Sequence, residues 1–319
     1  MVEQVAERLL ITGATGFVGR RLVDLIAQRR PDWSVEALAD PGQRFDITDA
    51  EQVAAAVARC RPTIVVNLAA VSAVTAAAQN PRLAWRVNLD GVLNLVDALR
   101  THAPDALLLQ VSTAEVYGRS FRSGVLTDET TLLQPSNAYA ASKAAADILA
   151  RQSAETGLKT LVLRPFNHIG PGQTNLFVIP AFASQIASIE RGLQPPVLKV
   201  GSLDDERDFL DLDDVVDAYL AVLDARAGLA SGAVFNVASG RPRRIGDMLE
   251  RLLGLTRTKI EVQIDASRLR GGGPTSYGGD ASRLREAVGW APRRDVLDTV
   301  ARILDFERAA LDAPTSARP

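Results

Sequence analysis

Two side chains with acid–base chemistry lie four residues apart in the run 137–143. Tyr139 and Lys143 project from one face of a predicted helix, because an i,i+4 pair lies about one turn apart and residues 144–150 form helix readily. A free tyrosine titrates near ~10, and a neighbouring cation lowers the pKa of its phenol. The pair therefore predicts an acid or base for an alcohol or carbonyl, against the alternative of two solvated surface residues.

The composition limits the kind of protein. The 319-residue chain is 47% hydrophobic and 23% charged, which suits one large or two modest soluble domains. A net charge of -2 gives no indication of nucleic-acid or membrane-surface binding. With one cysteine and two histidines, neither a disulfide framework nor a metal site is expected. No secretory segment or membrane-length apolar run is evident, which favours the cytoplasm.

A glycine-rich turn connects the first predicted strand, residues 8–12, to a helix. Its glycines would let the backbone approach a pyrophosphate at the helix N-terminus. The strand–turn–helix context favours a dinucleotide site over an ordinary turn. The predicted cofactor contacts in this turn are Gly13, Thr15, Gly16, Phe17, Val18 and Gly19.

The second predicted strand, residues 34–40, ends in an acid. Asp40 lies 21 residues after Gly19, near the spacing expected for a carboxylate that binds the adenosine ribose. That carboxylate would repel a 2'-phosphate, so NAD(H) is favoured and NADP(H) is the alternative; Asp40 as the start of a turn is the competing interpretation. Asp46, beside the further contact Ile47, is assigned to the adenine amino group or to a helix cap.

Strands and helices continue to alternate through residues 63–70, 106–111 and 160–165. The last two runs are the fifth and sixth strands of the predicted series, which indicates an α/β fold with a Rossmann-type doubly wound parallel sheet. Such sheets bind ligands beyond the carboxyl ends of their strands, where Thr113 is a candidate to hydrogen-bond a substrate carbonyl. The remaining predicted cofactor contacts are Leu68, Ala69, Ala70, Asn88, Val111 and Pro165.

The pattern changes after residue 165. A loop rich in glycine and proline covers residues 166–173, and shorter elements follow it. We therefore expect a dinucleotide-binding domain at 1–165 and a smaller lobe, mainly substrate-binding, at 166–319. Residues of about 210–237 are expected to return to the large sheet.

Four segments together resemble the extended short-chain dehydrogenase/reductases, a family that includes nucleotide-sugar epimerases, dehydratases and ketoreductases. The segments are Thr-Gly-Ala-Thr-Gly-Phe-Val-Gly at 12–19, Asn-Leu-Ala-Ala at 67–70, Val-Ser-Thr-Ala-Glu-Val-Tyr-Gly at 111–118 and Tyr-Ala-Ala-Ser-Lys at 139–143. Within this family, residues 164–173, 183–190 and 199–209 are most similar to the GDP-4-keto-6-deoxy-D-mannose reductases.

The resemblance implies that Thr113, Tyr139 and Lys143 act together. Lys143 would bind the nicotinamide ribose and lower the pKa of Tyr139, and both residues would contact the cofactor. Thr113 would bind the sugar C4 oxygen while Tyr139 protonates it, as expected of a nucleotide-sugar 4-ketoreductase acting on a GDP-4-keto-6-deoxyhexose. Glu115 has the spacing of the base in related 4,6-dehydratases, and a structural acceptor is its alternative role.

Substrate contacts are expected mainly in the second lobe. Asn167 is assigned to the sugar diphosphate, and Lys199 to the base or ribose. Arg207 and Arg270 are candidates for the phosphates, since a guanidinium forks onto phosphate oxygens, with a solvated side chain as the alternative. His168 is expected to pack or to form hydrogen bonds rather than to catalyse.

Two other functions remain open from the sequence. One is a nucleotide-sugar C4 epimerase or 4,6-dehydratase with tightly bound NAD, and the other is a non-catalytic dinucleotide-binding regulator. The resemblance also implies a homodimer formed through helices near 89–100 and 140–152. The alternative is that the alanine-rich face of the second helix packs on its own sheet.

Overall fold

Strands and helices alternate along most of the chain in the computed structural model, which describes residues 7–38, 45–122, 124–268 and 275–312. The strands in these ranges are β1 (Arg8–Thr12), β2 (Ser34–Ala37), β3 (Ile64–Asn67), β4 (Leu107–Val111), β5 (Lys159–Pro165), β6 (Asn167–Ile169), β7 (Val197–Val200), β8 (Glu206–Asp211), β9 (Ala233–Val237), β10 (Pro242–Arg244), β11 (Glu261–Ile264) and β12 (Ser276–Tyr277). The helices are α1 (Phe17–Arg29), α2 (Ala50–Cys60), α3 (Val74–Gln79), α4 (Pro81–Trp85), α5 (Gly91–His102), α6 (Ala138–Glu155), α7 (Val178–Glu190), α8 (Leu212–Ala225), α9 (Ile245–Leu253), α10 (Ser282–Val288) and α11 (Val296–Asp312).

A six-stranded parallel sheet organises the large lobe, with the strand order β2-β1-β3-β4-β5-β9. Strands β3 and β4 are buried along their whole length, as expected of apolar strands that helices cover on both faces. The strand order reverses between β1 and β3, and this switch point opens a crevice at the carboxyl ends of the strands. The predicted Rossmann-type doubly wound α/β fold is confirmed.

Five strands, rather than the predicted six, precede Phe166 among the described residues. Residues 45–49 form a turn into α2, because Asp46 and Asp49 accept backbone N–H groups from Thr48 and Glu51. The sixth strand of the large sheet is β9, which runs parallel to β5 in a register that pairs Leu161 with Ala233. Helix α8 precedes β9 and packs against α1.

A second apolar core lies between α7, α9 and α11. It is bordered by a sheet in which β8 pairs with β6, β10 and β12, and by the two-stranded pair of β7 and β11. Ion pairs join this part of the chain to the large lobe, including Arg294 with Asp214 at 2.6 Å. None of the described helices is long and apolar enough to cross a membrane.

Candidate active site

A cavity of about 440 Å³ opens at the carboxyl ends of β1, β3, β4 and β5. It joins the glycine turn, the segment after β4, the first turns of α6 and the loop after β5. Fifteen of the predicted site residues line this cavity: Gly13, Thr15, Gly16, Phe17, Val18, Gly19, Leu68, Ala70, Val111, Thr113, Glu115, Tyr139, Lys143, Pro165 and Asn167.

The glycine turn is packed so closely that a side chain would clash at two of its glycines. Gly13 has φ +68°, and a Cβ there would lie 2.8 Å from the backbone nitrogen of Ala69. A Cβ on Gly19 would lie 2.2 Å from the carbonyl oxygen of Gly13. Helix α1 begins after Gly16 with no side-chain cap, so its first N–H groups remain available at the cavity. This geometry suits the pyrophosphate of a dinucleotide.

Tyr139 lies in the first turn of α6, where Asn137 caps the helix by accepting the N–H of Ala140 at 2.8 Å. The Tyr139 phenol is hydrogen-bonded to the Thr113 hydroxyl. Burial raises the pKa of Tyr139 to about 12, with the charge of Glu115 adding to the rise and the Thr113 hydrogen bond opposing it. The predicted lowering of this pKa by a neighbouring cation is not seen, since burial dominates and no cation of the described residues is among the groups that influence it. Tyr139 is therefore a phenol that keeps its proton at neutral pH.

Lys143 is held against the end of β4. Its side chain is only 3% exposed, and its Nζ donates a hydrogen bond to the carbonyl oxygen of Val111 at 2.5 Å. Burial lowers the pKa of Lys143 to about 8, while the carboxylate of Asp147 one turn further along α6 opposes that change. The ammonium is therefore the predominant form at neutral pH, and it lies beside the cavity.

A fully buried polar network supports α6 beneath the cavity. Asp147 accepts two hydrogen bonds from the guanidinium of Arg164 on β5, at 2.8 and 2.9 Å. Arg164 also donates to the Tyr117 hydroxyl at 3.0 Å, and that hydroxyl donates to Asn236 on β9 at 2.7 Å. The helix that carries Tyr139 is thereby tied to two strands of the sheet.

Asn88 lies behind α6 rather than in the cavity wall. It is part of a π-helical segment, Arg86–Asp90, and such segments often occur at functional sites. Its Oδ1 accepts the N–H of Val71 at 2.9 Å, and its Nδ2 donates to the Ser142 hydroxyl at 2.9 Å. Ser142 in turn donates to the carbonyl oxygen of Tyr139. In this structure Asn88 therefore links the segment after β3 to α6, the helix that carries Tyr139.

Three more of the predicted cofactor residues lie outside the cavity wall. The carboxylate of Asp46 accepts the N–H and hydroxyl of Thr48 at 2.9 and 2.8 Å in the turn before α2, whose N-cap is Asp49. Ile47 is buried in the apolar core. The N–H of Ala69 donates to the Thr12 hydroxyl at 3.3 Å, behind the glycine turn. Asp40 lies outside the described residues.

The predicted substrate residues are only partly brought together, since Asn167 lines the cavity and two others do not. Lys199 is exposed on β7. Arg207 lies 4.0 Å from the ring centroid of Tyr277, a cavity residue, and donates to the carboxylate of Asp205 at 3.1 Å. Arg207 thus reaches the site only through Tyr277. Arg270 lies outside the described residues.

Other cavity residues escaped sequence reasoning: Ser72, Ala73, Val74, Thr75, Ser112, Ala114, Phe166, Gln173, Leu176, Phe177, Tyr219 and Tyr277. The first four follow closely after the predicted strand end at residue 70, and Ser112 directly precedes Thr113. Their positions in the sequence could therefore have predicted that they lie at the site. Tyr219 and Tyr277 come from α8 and β12, and no local pattern marks them.

His168 also lines the cavity, with its ring stacked on Phe17 at a centroid distance of 6.3 Å. Its Nδ1 lies 3.1 Å from the carbonyl oxygen of Phe166. Burial lowers the pKa of His168, so its imidazole is neutral at pH 7. These contacts agree with a packing and hydrogen-bonding role.

Comparison with known proteins places these features in a family. A family model described as the NAD dependent epimerase/dehydratase family matches residues 9–238. The chain belongs to this family and is an NAD(P)-dependent oxidoreductase of the extended short-chain dehydrogenase/reductase type. The predictions of the family and of a nicotinamide dinucleotide cofactor are confirmed.

Individual relatives narrow the likeness. The chain is 36% identical to GDP-6-deoxy-D-mannose reductase of Pseudomonas aeruginosa, over 95% of this chain and 98% of the relative. It is 31% identical to dTDP-glucose 4,6-dehydratase of Mycobacterium tuberculosis, over 90% of this chain and 88% of that protein. A solved structure of RMD from Pseudomonas aeruginosa complexed with NADPH has a TM-score of 0.85 and 34% identity, with coverage of 95% of this chain and 99% of that one.

Proposed function

We propose that this protein is a nucleotide-sugar 4-ketoreductase, which reduces C4 of a GDP-4-keto-6-deoxyhexose at the expense of NAD(P)H. The observation that carries the proposal is the placement of Tyr139, Thr113 and Lys143 in one cavity with the glycine turn. The 36% identity to a GDP-6-deoxy-D-mannose reductase supports the choice of substrate.

The proposed chemistry assigns one task to each side chain. A bound reduced nicotinamide supplies the hydride that adds to C4. Thr113 binds the C4 oxygen and holds it beside Tyr139, which gives its proton to the forming alkoxide. That transfer is favourable because an alkoxide is a stronger base than a phenolate, and a positioned acid of this kind contributes roughly 10²–10⁴-fold. Lys143 binds the nicotinamide ribose, and its ammonium offsets the negative charge that Tyr139 acquires.

The two lobes divide the binding in this proposal. Residues 1–165, together with the returning α8 and β9, hold the dinucleotide, and residues 166–319 hold most of the sugar nucleotide. Asn167 binds the sugar diphosphate from the cavity wall, with Arg207 and Arg270 pairing with phosphates and Lys199 near the base. Asp40 favours NADH, whereas the related RMD structure contains NADPH, so both reductants belong in the assay.

A homodimer is part of the proposal. Exposed apolar side chains lie on α4, α5 and α6, among them Trp85, Leu93 and Ile148. A second copy of the chain would cover them. The alanine-rich face contributes less than expected, because Ala140 and Ala144 are already buried within the protomer.

A second candidate function is a 4,6-dehydratase or C4 epimerase, in which the cofactor is reoxidised within each turnover. Glu115 favours it, because this carboxylate lies in the cavity close enough to raise the pKa of Tyr139. The 31% identical dTDP-glucose 4,6-dehydratase is consistent with such a base.

Turnover stoichiometry separates these functions. The purified protein is incubated with a GDP-4-keto-6-deoxyhexose and either NADH or NADPH, with cofactor absorbance and sugar products measured together. We expect one reductant oxidised for each sugar reduced. Conversion of a sugar nucleotide without net use of reductant would establish the second candidate. No turnover across a panel of 4-keto sugars and parent sugar nucleotides would leave only a non-catalytic dinucleotide-binding role.

A further inference from the structure

Three buried side-chain atoms in the described part of the chain have no hydrogen-bond partner: Ser112 Oγ, Gln173 Oε1 and Tyr219 OH. Their residues are 3%, 7% and 0% exposed, and all three line the same cavity. Leaving a buried polar group unpaired destabilises a fold, and protein interiors rarely tolerate it. Their common location indicates that a bound ligand supplies the missing partners.

The position of α8 explains how Tyr219 reaches the cavity. The helix begins at Leu212, close to the glycine turn: a Cβ on Gly170 would lie 3.1 Å from Leu212 and 3.3 Å from the ring of Phe17. Side chains of a helix lean toward its N-terminus, and the N-terminus of α8 is its cavity end. Tyr219 lies two turns into the helix, and its fully buried side chain lines the cavity.

Tyr219 belongs to the nicotinamide end of the cavity. Its phenol is close enough to Tyr139 for the two to interact electrostatically, and it shares the cavity with Val111 and Pro165 at the ends of β4 and β5. The adenosine end of the cavity lies toward β2, which β1 and β3 separate from β4 and β5 in the strand order. Of the three unpartnered groups, Tyr219 is the one with a direct electrostatic link to the proton donor.

We infer that Tyr219 is a cofactor-positioning residue, whose hydroxyl donates a hydrogen bond to the carboxamide oxygen of the bound nicotinamide. This inference rests on the proposed dinucleotide-dependent function. Burial raises the pKa of Tyr219, so the phenol remains protonated and acts as a donor across the working pH range. The contact would fix the rotation of the nicotinamide ring beside Tyr139, and thus the face from which hydride leaves.

The test compares two ligands in the full-length Tyr219→Phe variant. Affinities for the preferred reduced dinucleotide, and for the matching ADP-ribose that lacks the nicotinamide, are measured by calorimetry. The variant should bind the dinucleotide about three- to tenfold more weakly, the effect of one neutral hydrogen bond, and should bind the ADP-ribose as the wild type does. Without added ligand, its melting temperature should equal or exceed the wild-type value, since the lost hydroxyl has no protein partner.

Tyr117→Phe is the matched control. It removes a buried hydroxyl that is bonded to Arg164 and Asn236, so it should lower the melting temperature and leave the ratio of the two affinities unchanged. The inference is overturned if Tyr219→Phe binds the dinucleotide like the wild type, or loses the same factor for both ligands. A raised KM for the sugar with unaltered dinucleotide affinity would place the hydroxyl on the substrate and also overturn it. Failure of the wild type to bind either dinucleotide would overturn the proposed function itself.

Discussion

This protein has two groups of buried polar side chains, which differ in whether their polar atoms are paired within the protein. Beneath the cavity, Asp147, Arg164, Tyr117 and Asn236 are paired with one another. In the cavity wall, polar atoms such as Tyr219 OH have no protein partner. A fully satisfied network rigidifies the fold, whereas an unsatisfied one has binding capacity left for a ligand.

Tyr117 in the paired network and Tyr139 in the cavity wall show the same contrast. Burial raises the pKa of both Tyr117 and Tyr139 to about 12. A perturbed pKa therefore does not separate a catalytic phenol from a structural one in this protein. Access to the cavity distinguishes the two residues, because Tyr139 lines the cavity and Tyr117 does not.

Removing each phenolic hydroxyl tests this distinction with the largest expected effect. Tyr139→Phe should lower kcat by roughly 10²–10⁴-fold, since the proton donor is lost, while the fold is kept. Tyr117→Phe should lose stability but retain kcat within a few fold. Initial rates and thermal melts of both variants check the pair. An equal loss of kcat in a folded Tyr117→Phe protein would contradict the distinction between the catalytic and the structural tyrosine.

Breaking the ion pair of the supporting network is the second prediction. Asp147→Asn leaves Arg164 buried without its counter-charge and should destabilise the fold by about 3–5 kcal/mol, measured by urea unfolding. Replacing both residues, as Asp147→Leu with Arg164→Met, should recover part of that loss. The exposed pair of Arg244 and Asp204 serves as a control, and Asp204→Ala should change stability little. A small effect for Asp147→Asn would show that the network does not support the fold.

Removing the charge of Lys143 should stabilise the fold rather than destabilise it, because burial of the ammonium costs free energy. Its pKa is lowered to about 8 from an ordinary value of 10.5, so above pH 8 the unfolded chain binds more protons and wild-type stability rises with pH. Lys143→Met should therefore be more stable than the wild type by about 2 kcal/mol at pH 7, with the gap shrinking toward pH 10. Urea unfolding at both pH values checks this. An equal difference in stability at pH 7 and pH 10 would contradict this prediction. The affinity of the variant for the cofactor should fall at both pH values.

Two glycines with similar backbone angles give the smallest expected effect. Gly13 has φ +68° and Gly192 has φ +69°, but only at Gly13 would a Cβ meet other backbone atoms. Gly192→Ala should cost about 1 kcal/mol from conformation alone and leave cofactor binding unchanged. Gly13→Ala should cost about 2 kcal/mol and weaken dinucleotide binding, which calorimetry measures. Equal cofactor affinity in the two variants would argue against a tight approach of the turn to the ligand.

Local patterns predicted the parts of the site that short segments encode. The glycine turn, the pair Tyr139 and Lys143, and Thr113 at the end of β4 each lie in one continuous segment, and all line the cavity. The apolar strands were also recognisable, because burial on both faces leaves uninterrupted apolar runs.

Tertiary structure decided the rest. Tyr219 reads in the sequence as one more apolar-face residue of α8, and only the return of that helix to the large lobe brings it to the cavity. The hydrogen bonds of Asn88 to Val71 and Ser142 also depend on tertiary structure, and its contact with the cofactor stays a prediction. Arg207 is held by Asp205 and Tyr277, partners that its sequence context does not specify.

Isotope transfer tests the central claim most directly. The wild-type enzyme is given a GDP-4-keto-6-deoxyhexose and reduced cofactor that carries deuterium at the transferable position of the nicotinamide. The proposed function predicts one deuterium at C4 of the product sugar for each cofactor oxidised, at a rate that falls with Tyr139→Phe. A product without deuterium, or deuterium at any other carbon, would contradict it.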